Sequence, residues 1–226
     1  MRVPTLTDTS HGGACVAGLI VIVAIAATPC AAAEIDPDMR VVIRTYNGAE
    51  LPAAELASAV ATATTILKAS GLATSWQACE VAFVRDATHP CAAPLRTNEI
   101  AVRLVRLTTD AHYRGELPLG YSLVDTATRS GTLATIYIDR VAWLSKAAGV
   151  DRRLVLGRAL AHEVGHLLLG TNAHSTAGVM RAVWSCEALK RNVGGDWLFA
   201  PGDARAMRQA VRLRAVPRMA RLGIGD

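Results

Sequence analysis

Residues 151–170 read DRRLVLGRALAHEVGHLLLG, and the reading of this stretch decides the fold. Asp151 is a good N-cap for a long helix through Leu154, Val155, Arg158, Leu160, Ala161 and Val164, which Gly170 ends. Inside it stands His162-Glu163-Val164-Gly165-His166. Helix residues four apart lie on one face one turn apart, so both imidazoles can point at a single ion. Neutral imidazole is a good zinc ligand, and two from one helix fix two corners of a tetrahedron. Glu163, beside the first of them, can reach a metal-bound water without ligating and accept its proton as it attacks a carbonyl. The plain alternative is a helix that happens to carry two histidines. Leu160, Val164, Leu167, Leu168 and Leu169 give the motif an apolar setting, where such polar groups are costly unless a partner satisfies them. A metal does so.

A catalytic zinc site needs a third protein ligand and one open position. Gly170 can turn the chain back, and His174, eight residues after His166, is the nearest third ligand. Met180 follows in Gly178-Val179-Met180, a small-residue bend whose thioether can pack beneath the metal. Glu187, 21 residues after His166, competes for the third place, as in thermolysin-like zincins, because its surroundings could be helical. His174 together with Ser175 and Met180 explains more residues at once. His89 and His112 fall in expected loops and are left out of the site.

The motif, a glycine, a third histidine followed by Ser175 and a downstream methionine together resemble the metzincin clan of zinc peptidases, matrixin-like members most. Phe199-Ala200-Pro201-Gly202-Asp203 is similar to the proline–aspartate start of the last helix in matrixin-type catalytic domains. The resemblance covers about residues 150–215. It implies His162, His166 and His174 as Zn2+ ligands, Glu163 as general base, Met180 as the residue of the turn below the metal, and a peptide or protein as substrate. Here the glycine stands four and the last histidine eight residues after His166, where the family pattern has three and six. Many relatives also carry a tyrosine after the methionine turn, and Trp184 is the only aromatic close by. In a metzincin-like fold Thr132–Asp139 would be either the edge strand that takes substrate as an added strand or an ordinary interior strand. Two functions are weighed: an active zinc endopeptidase, favoured by Glu163, and a catalytically silent zinc-binding module, favoured by the long ligand loop and the missing tyrosine.

The remaining chain supplies the frame. Met39–Tyr46 alternates apolar and polar residues as a half-buried strand should, and Asn47-Gly48 marks a turn. A helix is expected from Leu51 to Ala69, with strands over Thr74–Val81, Ile100–Leu107, Gly120–Asp125 and Thr132–Asp139 and a short helix over Arg140–Ala148. A glycine-rich irregular stretch is expected up to Pro201, then a last helix from Ala204 to about Leu213. The expected fold is α+β and zincin-like: a mixed twisted sheet, an N-terminal helix, a long active-site helix and a C-terminal helix.

The 226 residues suffice for one domain with a real core. Residues 16–27 (VAGLIVIVAIAA) follow a weakly basic start and precede Ala31-Ala32-Ala33, the order of a secretory signal cut before Glu34. Residues 1–33 are therefore expected to be a signal, with 34–226 a single catalytic domain: a sheet-rich part to 149 and a site-bearing part from 150. Twelve apolar residues are short for a membrane span, which needs about 20, although an uncleaved anchor is the alternative. The protein is expected to be secreted, periplasmic or of the cell envelope, and monomeric. Its net charge of +5 owes much to Arg205, Arg208, Arg212, Arg214, Arg218 and Arg221. Without interleaved aromatics these read as a solvated helix face, so no nucleic-acid partner is expected. Cys79 and Cys91 flank a short segment that a disulfide could close in an oxidising compartment; two free buried thiols are the alternative. Cys186 is left unassigned.

Overall fold

A computed structural model of the chain describes residues 39–79, 88–107 and 118–215, all within one compact unit that spans Glu34–Asp226. The expected signal, His112, Arg218 and Arg221 lie outside the described residues.

Five strands form the described sheet: β1 (Arg40–Asn47), β2 (Ala73–Cys79), β3 (Glu99–Val105), β4 (Gly120–Asp125) and β5 (Ser130–Tyr137). Their order is β2-β1-β3-β5-β4, parallel except for β4, which runs antiparallel to β5. The helices are α1 (Ala53–Ala69), α2 (Ile138–Ala148), α3 (Arg152–Leu169), α4 (Cys186–Arg191) and α5 (Pro201–Ala215), with a 3-10 turn at Gly194–Trp197. Parallel neighbours need a crossover, and α1 supplies it between β1 and β2. Val41 and Ile43 of β1, Ile100, Val102 and Leu104 of β3, and Ala134 and Ile136 of β5 are buried, so the central strands carry the core.

Helix α3 is the centre of the packing. Every residue from Val155 to Leu168 is buried, because α1, α2, α5 and the strands β4 and β5 surround it. A helix enclosed on all sides does not need a single apolar stripe, which is why α3 can be continuously buried yet carry Arg158, His162, Glu163 and His166. Asp151 accepts a hydrogen bond from Arg153 N at its start, and Gly170, at φ 64°, turns the chain out at its end.

Of the two readings of Thr132–Asp139, the interior one holds: β5 lies between β3 and β4, and β4 takes the outer position among the described strands. Both strands alternate, and alternation says which face is buried, not which neighbour a strand pairs with. Ile138 and Asp139 belong instead to α2, which follows β5 without a loop. The stretch before Pro201 is also more regular than its glycines suggest. Ser185 caps α4 by accepting from Ala188 N, and α5 begins at Pro201 itself, a favoured residue for a first helical position. The Cys79 and Cys91 sulfurs are bonded, with Cα atoms 5.7 Å apart, and Cys186 is a free, half-buried thiol.

Candidate metal centre

The burial of α3 places His162 at 9% exposure and Glu163 and His166 at 5% each. His162 Nδ1 is 2.8 Å from the Val179 carbonyl oxygen, and His166 Nδ1 is 2.8 Å from that of Thr171. A carbonyl only accepts, so each Nδ1 carries the proton and donates it, and each Nε2 presents a lone pair. Those two Nε2 atoms are 3.0 Å apart. Two lone pairs at that distance repel unless a proton or a cation lies between them. Burial, the main cause, pushes His162 down to about 4 and lowers His166 as well, against the raising effect of the carbonyl bonds. Neutral rings with facing lone pairs call for a cation. In a tetrahedral zinc site with Zn–N bonds of about 2.0–2.1 Å, neighbouring nitrogens stand roughly 3.3–3.4 Å apart, close to the observed spacing.

His174 completes the group. Its ring centroid lies 5.2 Å from that of His162 and 4.8 Å from that of His166, and the ligand atoms of all three residues lie within 4.8 Å of one another. His174 itself is exposed, so the group opens to solvent on its side. The three-histidine group fits Zn2+. The longer loop still returns the third histidine because the residue after it is tied twice. Ser175 N donates to the Met180 carbonyl at 2.9 Å, and Ser175 Oγ donates to Asp203 Oδ2 at 2.6 Å, in the first turn of α5. Glu187, the competing ligand, is exposed on α4 and outside the group. His89 Nδ1 accepts from Cys91 N at 3.1 Å and is likewise outside it.

Met180 is 1% exposed and packs against α3 between the two histidine positions. A Cβ on Gly165 would meet its sulfur at 2.6 Å and Phe199 Cε1 at 2.7 Å. The Met180 segment also presents the Val179 carbonyl that orients His162. Trp184 stands edge-on to His162, with centroids 5.7 Å apart, and against Trp197 at 5.2 Å. Its Nε1 donates to the Arg181 carbonyl at 3.2 Å.

Glu163 faces the edge strand. Burial pushes its carboxyl up to about 7, and a hydrogen bond from Ser122 acts in the opposite direction. Sequence reasoning found β4 but missed Ser122 and Gly120. Their two-residue spacing, which puts both on one face of a strand, was the available signal. The carbonyls of Thr171 and Val179 had none, since main-chain acceptors are the same in every residue.

No family model and no curated protein matches the chain. Among solved structures it is similar to archaemetzincin from Methanopyrus kandleri, with a TM-score of 0.50 and 14% identity over 79% of this chain and 99% of that one. A zinc-dependent peptidase from Methanocorpusculum labreanum aligns with a TM-score of 0.46 and 13% identity, over 74% of this chain and 99% of its own. The likeness to the archaemetzincin shows a metzincin-like fold.

Proposed function

We propose that the chain is an exported zinc metallopeptidase of matrixin-like type, cutting peptide bonds within proteins. One observation carries this reading: two buried imidazoles whose lone pairs face each other at 3.0 Å, with a third histidine and a buried glutamate beside them. His162, His166 and His174 would hold the metal through their ring nitrogens. Zinc bound there would supply a Lewis acid that polarises the scissile carbonyl and raises the nucleophilicity of water near neutral pH. Val179 and Thr171 fix the two buried rings in the tautomer that leaves Nε2 bare. Glu163 accepts a proton from the attacking water and returns it to the nitrogen of the leaving amine, so water and peptide become a carboxylic acid and an amine. Burial pushes this carboxyl up to about 7 in the metal-free site, and a zinc ion beside it would favour the ionised form that accepts the proton. Met180 supports α3 beneath the two rings. Export is supported by the apolar run of residues 16–27 and by the Cys79–Cys91 disulfide, a bond of oxidising compartments.

A silent zinc-binding module is the second reading, and Trp184 favours it. The indole N–H, the one donor of that ring, is already bonded to the Arg181 carbonyl and does not replace the tyrosine of the family pattern. Metal analysis with cleavage of a denatured general protein separates the readings. The peptidase reading expects one zinc per chain, and cleavage abolished by a chelator. Glu163→Ala should keep the zinc and lose about 100-fold or more in rate. Cleavage that survives both treatments defeats it, and one zinc without cleavage selects the module.

A further inference from the structure

We propose that Ser122 is a positioning residue for Glu163: its hydroxyl holds Oε2 in place and leaves Oε1 as the oxygen that exchanges the proton. The proposal rests on the reading of Glu163 as the general base. Ser122 Oγ lies 2.7 Å from Glu163 Oε2 and 2.9 Å from the main-chain oxygen of the same residue. The hydroxyl therefore meets Glu163 at both ends, backbone and carboxylate, and restrains the torsions between them. It has one proton to give, and an ionised carboxylate is a stronger acceptor than a peptide carbonyl.

The other oxygen is treated differently. No hydrogen bond or ion pair joins Oε1 to any described residue. Gly120, two residues before Ser122 on the same face of β4, lies beside it: a Cβ there would come within 2.9 Å of Oε1 and 2.5 Å of the Thr135 carbonyl oxygen. A larger residue would cover the oxygen that the reaction needs bare. One strand thus acts on both oxygens, holding one through a serine and clearing the other through a glycine. A glutamate has three side-chain torsions, and a base displaced by even about 1 Å can lose roughly 100-fold in rate. Restraint of this kind works through geometry and calls for no contact between Ser122 and substrate.

The test uses the zinc-loaded full chain as wild type, Ser122→Ala and Ser122→Thr. A quenched peptide carrying a bond that the wild type cuts in a denatured general protein serves as substrate. The same proteins, metal-free and labelled with 13C at the glutamate carboxyls, are examined by NMR, with the Glu163 resonance assigned by its loss in Glu163→Gln. The expected result is a kcat about 10–100-fold lower in Ser122→Ala, with KM and zinc stoichiometry unchanged. Ser122→Thr should recover most of kcat, and the Glu163 resonance should move in Ser122→Ala only. A Ser122→Ala kcat within about twofold of wild type overturns the proposal. So does a loss that comes with released zinc or a raised KM. If the wild type cuts nothing, the peptidase reading falls, and the NMR decides alone: a shifted Glu163 resonance upholds the positioning contact, an unmoved one removes it.

Discussion

Gly165 and Met180 meet where no side chain would fit: a Cβ on Gly165 would stand 2.6 Å from the Met180 sulfur. The residue between the two histidine turns of α3 is thus the floor on which the methionine bend rests, with Phe199 at its other side. Gly165→Ala gains roughly 1 kcal/mol in helix propensity but overpacks a site that costs about 1–3 kcal/mol to expand. The expected net loss is about 0–2 kcal/mol, read by denaturant unfolding, together with weaker zinc binding because Val179 moves with the bend. Gly202→Ala, whose Cβ would meet nothing within 4 Å, is the control and should be neutral or stabilising. Equal stabilities for the two variants would mean that the bend is not seated on α3.

Zinc affinity should distinguish the two ligand assignments. His174→Ala removes one of three converging nitrogens and is expected to weaken zinc binding by about 100-fold or more. Glu187→Ala removes an exposed carboxylate and should leave affinity unchanged. A competition titration against a chromophoric chelator reads both. Zinc that depends on Glu187 and ignores His174 would reverse the assignment.

The third histidine owes its place to its neighbour. Ser175→Ala breaks the bond to Asp203 without touching a ligand, and partners of this kind are worth about 10–100-fold in metal affinity. Asp203→Asn keeps an acceptor at the same place and should cost less. The pair of variants, titrated with zinc, identifies the tether as the cause if the loss follows that order.

In metal-free protein the acid–base groups of the site pull stability in opposite directions. Glu163 is raised from 4.5 to about 7, so its contribution is full below about 4.5 and is lost as pH rises through 7. His162, lowered from 6.5 to about 4, acts the other way and costs stability as pH falls from 6.5 towards 4. Glu163→Gln cancels only the first effect. Its stability relative to wild type should grow by on the order of 3 kcal/mol between pH 4.5 and pH 7, measured by unfolding in chelator at both ends. A difference that does not change with pH would remove burial as the cause.

Much of the frame was legible because local pattern and burial agree in it. The alternation from Val41 onward gave β1, Asp151 and Gly170 bracketed α3, and Pro201 announced the last helix. The four-residue spacing of His162 and His166 carried the centre of the site, since a helix turns that spacing into one face. Edge and interior were not legible: β4 and β5 share the same period, and their order depends on hydrogen bonds between segments. The helical reading of the surroundings of Glu187 corresponds to α4, whose six residues gain their order from the Ser185 cap and the packing of Ala188 and Leu189.

The amino-acid sequence by itself determined which side chains stand on one helix face and which bonding chemistry they share, because helical periodicity is local. Only the tertiary structure decided that His174 rather than Glu187 joins them. It also decided that Ser122 reaches Glu163 across 41 positions and that backbone carbonyls fix the histidine tautomers. Those choices follow from how separate segments pack and pair, and no short stretch of chain encodes the distance between itself and another.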